Sequence, residues 1–285
     1  IISTVLNVIL DTLFVVAFHW DVPGVAWATV VAQIGCAAAS YAYLRRRFPF
    51  VKGGRHFDGA LCKTVLRIGV PTAVQQSIVS FGNIAMQRLV NGFEDTAAGI
   101  MGAYTAGSQI MNFVFVPITG FQSGLANFCG QNIGANRYDR VKRGYHVTLV
   151  MSLIVTVAFC VALKVFAEPI ISLFGLTDAG AVSMGVEQIH FLTWYFWIFA
   201  MYMTLGGVLQ GAGDTMLQSA ATLSALIIRI VLGYVGVYFG WFNYAAAWNT
   251  GPIGWGAAIL ITNIRYYTGG WKKKALVGQS AAPPE

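Results

Sequence analysis

Charge is what this chain has least of. Of its 285 residues, 18 are Lys or Arg and 11 are Asp or Glu, so only 10% are charged. A soluble domain carries about 25%. Cysteine is also sparse. Cys36, Cys62, Cys129 and Cys160 are scattered without a C-x-x-C spacing, which argues against a disulfide framework or a zinc site and for buried or interfacial thiols. His19, His56, His146 and His190 fall near the ends of apolar runs and have no i, i+4 partners. No nucleophile–base pair or metal-ligand spacing emerges, so the residues point away from an enzyme. The turn Gly211-Ala212-Gly213-Asp214 lacks the lysine that a phosphate-cradling loop needs. It reads as a tight turn with Asp214 capping the next helix.

What is present is hydrophobic. Apolar residues make up 56% of the chain, and mean hydropathy is +0.64. No charge lies between Asp21 and Arg45, Arg67 and Arg88, Asp95 and Arg137, Arg143 and Lys164, or Glu187 and Asp214. Each gap can hold the ~20 apolar residues that cross a bilayer. With residues 1–18 and the stretch 216–267, divided near 241–250, the pattern predicts an all-α polytopic bundle of about eight spans.

The net charge of +7 is a topology signal rather than a nucleic-acid footprint. Basic residues collect at 45–67, at 137–143 and at Lys272–Lys274. The positive-inside rule places those connections and the C-terminus in the cytoplasm of a multi-pass protein of the cell membrane. Arg88 and Lys164 are the main exceptions.

The chain opens on Ile1 in an apolar run, which fits the later part of a longer protein. The expected spans are 1–18, 25–44, 68–89, 97–131, 145–166, 186–210, 216–239 and 253–267. Pro23-Gly24 should break the chain before the second, and Pro117 should kink the fourth. Between the second and third, Asp58 is placed to cap a short amphipathic helix carrying Leu61, Val65 and Leu66. The tail beyond Lys274 is expected to be disordered.

Asp11 is the single acid embedded in an apolar helix. A carboxylate at mid-membrane depth costs roughly 2.5–3.5 kcal/mol on insertion scales and marks an ion or proton pathway. Asn7 lies one turn earlier, on the same face. Gln75, Gln76, Asn83, Gln109 and Asn112 are candidates either for lining a cavity or for bonding helix to helix. The run Trp194-Tyr195-Phe196-Trp197 suits lipid-facing packing or stacking of an organic cation. Arg229 is expected to pair within the bundle or reach the interface.

Four motifs together resemble the multidrug and toxic compound extrusion (MATE) family of cation-coupled antiporters. They are Asn7-Val8-Ile9-Leu10-Asp11 with Gly24-Val25-Ala26-Trp27-Ala28-Thr29-Val30 downstream, Ile68-Gly69-Val70-Pro71, Gly130-Gln131-Asn132-Ile133-Gly134-Ala135, and Gly211-Ala212-Gly213-Asp214-Thr215 ahead of Arg229. The resemblance covers nearly the whole chain. It implies two six-helix lobes, with residues 1–44 the last two helices of the first lobe and 45–66 the connection. Residues 67–270 would then be the second lobe and 271–285 a cytoplasmic tail. Four helices would precede Ile1, and without them the chain is expected not to transport.

The implied function is export of drugs or amphipathic organic cations by alternating access. No cofactor is implied, only H⁺ or Na⁺ as coupling ion, and the partners are a small-molecule substrate and membrane lipid, for a monomer. The coupling positions that match are Asn7, Asp11 and Thr29, with Thr4 and Gln33 facing the same cavity. One branch of the family carries carboxylates in the second lobe where Val79 and Phe199 stand here, so coupling falls to Asp11. Two alternatives remain open, a lipid-linked oligosaccharide flippase of the related superfamily and a membrane scaffold without transport.

Overall fold

In the computed structural model, the described residues are 2–47, 59–176 and 178–271. They form α1 (Ile2–Thr12), α2 (Asp21–Arg47), α3 (Gly59–Asn91), α4 (Ile100–Gly134), α5 (Tyr138–Ser172), α6 (Ala179–Thr193), α7 (Phe196–Gly211), α8 (Thr215–Tyr238) and α9 (Ala246–Tyr267). No strand occurs among them, as the composition predicts. The chain divides into two compact units, Ile1–Lys63 and Thr64–Glu285.

The first unit is built on the α1–α2 hairpin. Helix α1 ends in a wide π-helical turn over Leu13–Ala17, where the Phe18 N–H donates to Leu13 O and the Trp20 N–H to Phe14 O. Phe14, Phe18 and Trp20 cluster at this corner, with ring centroids 5.5–6.1 Å apart. The expected break at Pro23-Gly24 is not there. Helix α2 already starts at Asp21, because a proline in the first turn gives up an N–H that has no helical partner anyway. Gly24 lets α2 pass close to the corner, since a Cβ there would lie 2.9 Å from Trp20 Cβ. Arg45, Arg46 and Arg47 end α2, favourably placed against the helix dipole.

In the second unit the apolar surface is outside. On α5, Val147, Val150, Ile154, Val157, Val161 and Val165 are exposed at three- and four-residue spacing, a continuous face for lipid. The interior packs large apolar side chains such as Ile118, Phe196 and Leu205 together with small and hydroxyl residues. Thr156 bonds Ser152 O, Thr204 bonds Ala200 O, Thr250 bonds Ala246 O and Thr262 bonds Ala258 O. Each hydroxyl is thereby satisfied within its own helix.

Glycines bring the helices together. A Cβ on Gly207 of α7 would stand 2.7 Å from the backbone oxygen of Gln122 in α4, and one on Gly254 of α9 would strike the Ala225 carbonyl of α8. Helix α3 reaches α8 through Tyr234, whose hydroxyl donates to Ala85 O at 2.9 Å.

Several boundaries differ from the sequence reading. The short amphipathic helix is not separate. Its residues from Gly59 onward open the single 33-residue helix α3, which continues through Pro71; Asp58 lies outside the described residues. Helix α4 runs as one 35-residue helix through Pro117, and the departure from helical angles falls instead at Phe166 of α5 (φ −112°, ψ 16°), three residues before Pro169. The span expected at 186–210 is two helices, α6 and α7, bent by 54°. Trp194 and Tyr195 occupy the bend, and the Lys164 ammonium lies 3.6 Å from the Trp194 ring centroid. Trp194 and Trp197 are exposed and Phe196 is fully buried, so this aromatic run mostly serves packing. By length and composition α2, α5 and α8 can each cross a bilayer, and the bent α6–α7 pair makes a fourth span among the described residues.

Asp214 does not cap α8 with its side chain. It is fully buried and accepts from Arg265 Nε of α9 at 2.6 Å. The ion pair ties the 211–214 turn to the last helix.

Two outcomes follow for stability. Arg265→Met takes the guanidinium from a buried carboxylate and is expected to destabilise by about 3 kcal/mol, read as a lower apparent Tm in detergent. Gly207→Ala pushes a methyl onto backbone that cannot retreat, at a cost of about 1–3 kcal/mol. A Tm unchanged by Gly207→Ala would refute the close α4–α7 approach.

Candidate functional site

The first unit brings together three of the five candidates placed there. Asn7 and Asp11 face the same side of α1, and the hairpin sets Thr29 of α2 opposite them. The Asn7 amide bridges the other two, one terminal atom 3.2 Å from Asp11 Oδ2 and the other 3.2 Å from Thr29 Oγ1. Thr29 also donates to Val25 O at 3.0 Å. Asp11 Oδ1 is enclosed, with no hydrogen-bond partner among the described residues. Thr4 and Gln33 are exposed and stand outside this chain of bonds.

Only one placement of the Asn7 amide satisfies both ends: its NH₂ donates to Asp11 Oδ2 at 3.2 Å, and its oxygen accepts from the Thr29 N–H at 3.3 Å with the Thr29 hydroxyl 3.2 Å away. The three side chains thus form one hydrogen-bonded chain across the hairpin, and their oxygens are the donor type that hard cations take.

The second unit holds a cavity of about 440 Å³ among α3, α4, α6, α7, α8 and α9. Asn83, Gln109 and Asn112 line it, and Asn112 Nδ2 lies 3.5 Å from Gln109 Oε1. Gln75 is elsewhere: it accepts from Ser219 Oγ at 2.6 Å and joins α3 to α8. Gln76 is exposed and is not among the cavity residues.

Sequence reasoning missed Gln188 and Trp248, which share this cavity with Arg229. Arg229, expected to pair within the bundle or reach the interface, bonds within the bundle but to no carboxylate among the described residues. Its Nη2 donates to Tyr104 Oη at 3.3 Å and to Ala247 O at 3.2 Å, and its Nε has no partner among the described residues. Gln188 Oε1 and Trp248 Nε1 are likewise enclosed and unpartnered. An isolated Gln or Trp in an apolar run carries no sequence signal of this kind; only the burial reveals it. A larger, open cleft of about 660 Å³ lies where α5 meets α6, beside Glu168, Ser172 and Ser183, but none of its lining side chains has an enclosed, unpartnered polar atom.

Comparison with known proteins agrees with this architecture. The MatE family model matches residues 71–235. The probable multidrug resistance protein YoeA of Bacillus subtilis is 25% identical, over 97% of this chain and 61% of its own length. The probable multidrug resistance protein NorM of Thermotoga maritima is 23% identical, over 90% of this chain and 55% of its own. Among solved structures, an outward-facing MATE transporter of the MOP superfamily superposes with a TM-score of 0.82 at 20% identity, covering 95% of this chain and 62% of that one. A MATE structure in the straight conformation gives 0.83 at 18% identity. The chain thus spans between half and two thirds of the length of these relatives.

The Gln75–Ser219 bond invites a double-mutant cycle. Gln75→Leu and Ser219→Ala should show a coupling of about 0.6–1.7 kcal/mol, whereas Gln76→Leu should leave the apparent Tm unchanged. Absence of coupling would return Gln75 to the list of cavity candidates.

Proposed function

The chain belongs to the MatE family, and from that premise we propose that it is the working part of a secondary-active exporter of small molecules, coupled to H⁺ or Na⁺ through Asn7, Asp11 and Thr29. The observation that carries this reading is the Asn7 amide bridging Asp11 and Thr29 at 3.2 Å on either side. Proton uptake at Asp11 reverses the direction of two hydrogen bonds, from Asp11 accepting to Asp11 donating. A helix hairpin whose internal bonds depend on protonation has two states of different stability, and a ligand or ion that favours one state shifts the pair. Transport needs nothing more from the coupling site than such a bias, applied alternately from the two sides of the membrane.

On this reading the protein is a multi-pass membrane protein acting as a monomer, in contact with lipid, with the basic connections at 45–67 and 137–143 and the C-terminus in the cytoplasm. It needs no cofactor beyond the coupling ion. A flippase for lipid-linked oligosaccharides would want a larger and more cationic cavity than one lined by the single cation Arg229. A scaffold without transport would have its polar residues on α3 and α4 turned wholly to other helices, and Asn83, Gln109 and Asn112 are not so turned.

The test is efflux from proteoliposomes holding the full-length protein, under a pH gradient or a Na⁺ gradient imposed separately. One gradient is expected to drive efflux, and Asp11→Asn to reduce that driven component at least about 10-fold, the scale of a 1.4 kcal/mol loss of coupling. Full driven efflux by a folded Asp11→Asn variant, or none by the parent under either gradient, would overturn the reading.

A further inference from the structure

The cavity of the second unit is set up for negative charge. Arg229 sits within α8 and shares the cavity wall with no carboxylate among the described residues. Its hydrogen bonds go to two neutral oxygens. Tyr104, having accepted from Arg229, keeps its own O–H proton to donate. The Trp248 indole N–H, on a residue 2% exposed, has no acceptor. Donors from α4, α8 and α9 therefore line one cavity, two of them without an acceptor among the described residues, and an enclosed donor left unmade is unfavourable until one arrives. Gln188, 2% exposed, lines the same cavity with Oε1 unpartnered among the described residues.

The rest of the wall is aromatic. Phe115 and Phe199 lie 4.3 Å apart by ring centroid, and Phe199 and Trp255 5.1 Å apart. These rings offer a surface for a planar group, and the cavity is within the size range of small-molecule sites. One fixed cation, two further donors and a wall of tilted aromatic rings describe the complement of a monoanionic aromatic compound. An organic cation would meet Arg229 with no counter-charge.

We propose that this cavity is a binding site for aromatic carboxylates, with Arg229, Trp248 and Tyr104 receiving the carboxylate and the Phe115–Phe199–Trp255 wall receiving the ring. The site recognises the class of compound carried, and in that sense it rests on the exporter reading; binding itself does not depend on coupling at Asp11.

The test compares 2-naphthoate, 2-naphthamide and 2-naphthylmethylammonium, which share a ring system and differ in charge. Their affinities for the detergent-solubilised full-length protein are measured by calorimetry, corrected for micelle partition. Naphthoate should bind at least ~10-fold more tightly than the amide or the amine. Arg229→Gln should abolish that preference while sparing the amide, and Arg229→Lys should retain part of it. Trp248→Phe, which keeps the ring and removes the N–H, should weaken naphthoate binding several-fold and leave the amide unchanged.

Equal affinities, a preference for the amine, or a preference that survives Arg229→Gln would overturn the proposal. Should Arg229→Gln not fold, an undiminished naphthoate affinity in Trp248→Phe would do the same. The measurement uses no gradient, so a protein that binds naphthoate but fails to export leaves this site standing and removes only the transport reading. A working exporter that prefers the amine does the reverse.

Discussion

A polar group placed in hydrocarbon has no water to turn to and must find its partner within the protein. Nearly every feature of this chain follows from that constraint. The backbone is helical throughout the described residues because a helix satisfies itself. Buried Thr156, Thr204, Thr250 and Thr262 return their hydroxyl protons to their own helices. The aliphatic side chains of α5 can face outward because nothing about them needs solvating. Where a charge is held inside, it is met in one of three ways: by an opposite charge at Asp214–Arg265, by a rotatable amide at Asp11, or by neutral oxygens at Arg229. The first arrangement is a direct ion pair and structural. The other two are left open, and those are the places where something mobile can act.

The two open sites have opposite chemistry. Asp11 is an acid answered by neutral groups, and Arg229 is a cation in a cavity that no acid lines among the described residues. On the exporter reading, the coupling ion would act at the first and the cargo would meet the second. The aromatic wall around Phe199 and the amide-rich wall around Asn83 and Gln109 then determine what shape the second site accepts.

Much of this was legible in the sequence, and the parts that were not have physical reasons. Gaps in charge locate membrane helices because charge is so costly there, and Asn7 and Asp11 share a face by simple periodicity. The third member, Thr29, followed from resemblance alone, since its approach depends on the hairpin. The bend at Trp194 and Tyr195 is hidden because an unbroken apolar run has the same composition whether it forms one helix or two. Asp214 reads locally as a cap, and its true partner Arg265 is 51 residues away. Pro23 looks like a breaker, yet α2 begins just before it. The enclosed, unpartnered atoms of Gln188, Arg229 and Trp248 could not have been read at all, because being unpartnered is a property of an assembled interior.

The Asn7 amide has one further consequence. Its nitrogen and oxygen are nearly the same size, so in an exporter coupled as proposed, turning the amide over would exchange donor for acceptor without changing the space the side chain fills. Neighbours packed against it would keep their rotamers. On that reading the hairpin is tightly packed and responsive at the same residue.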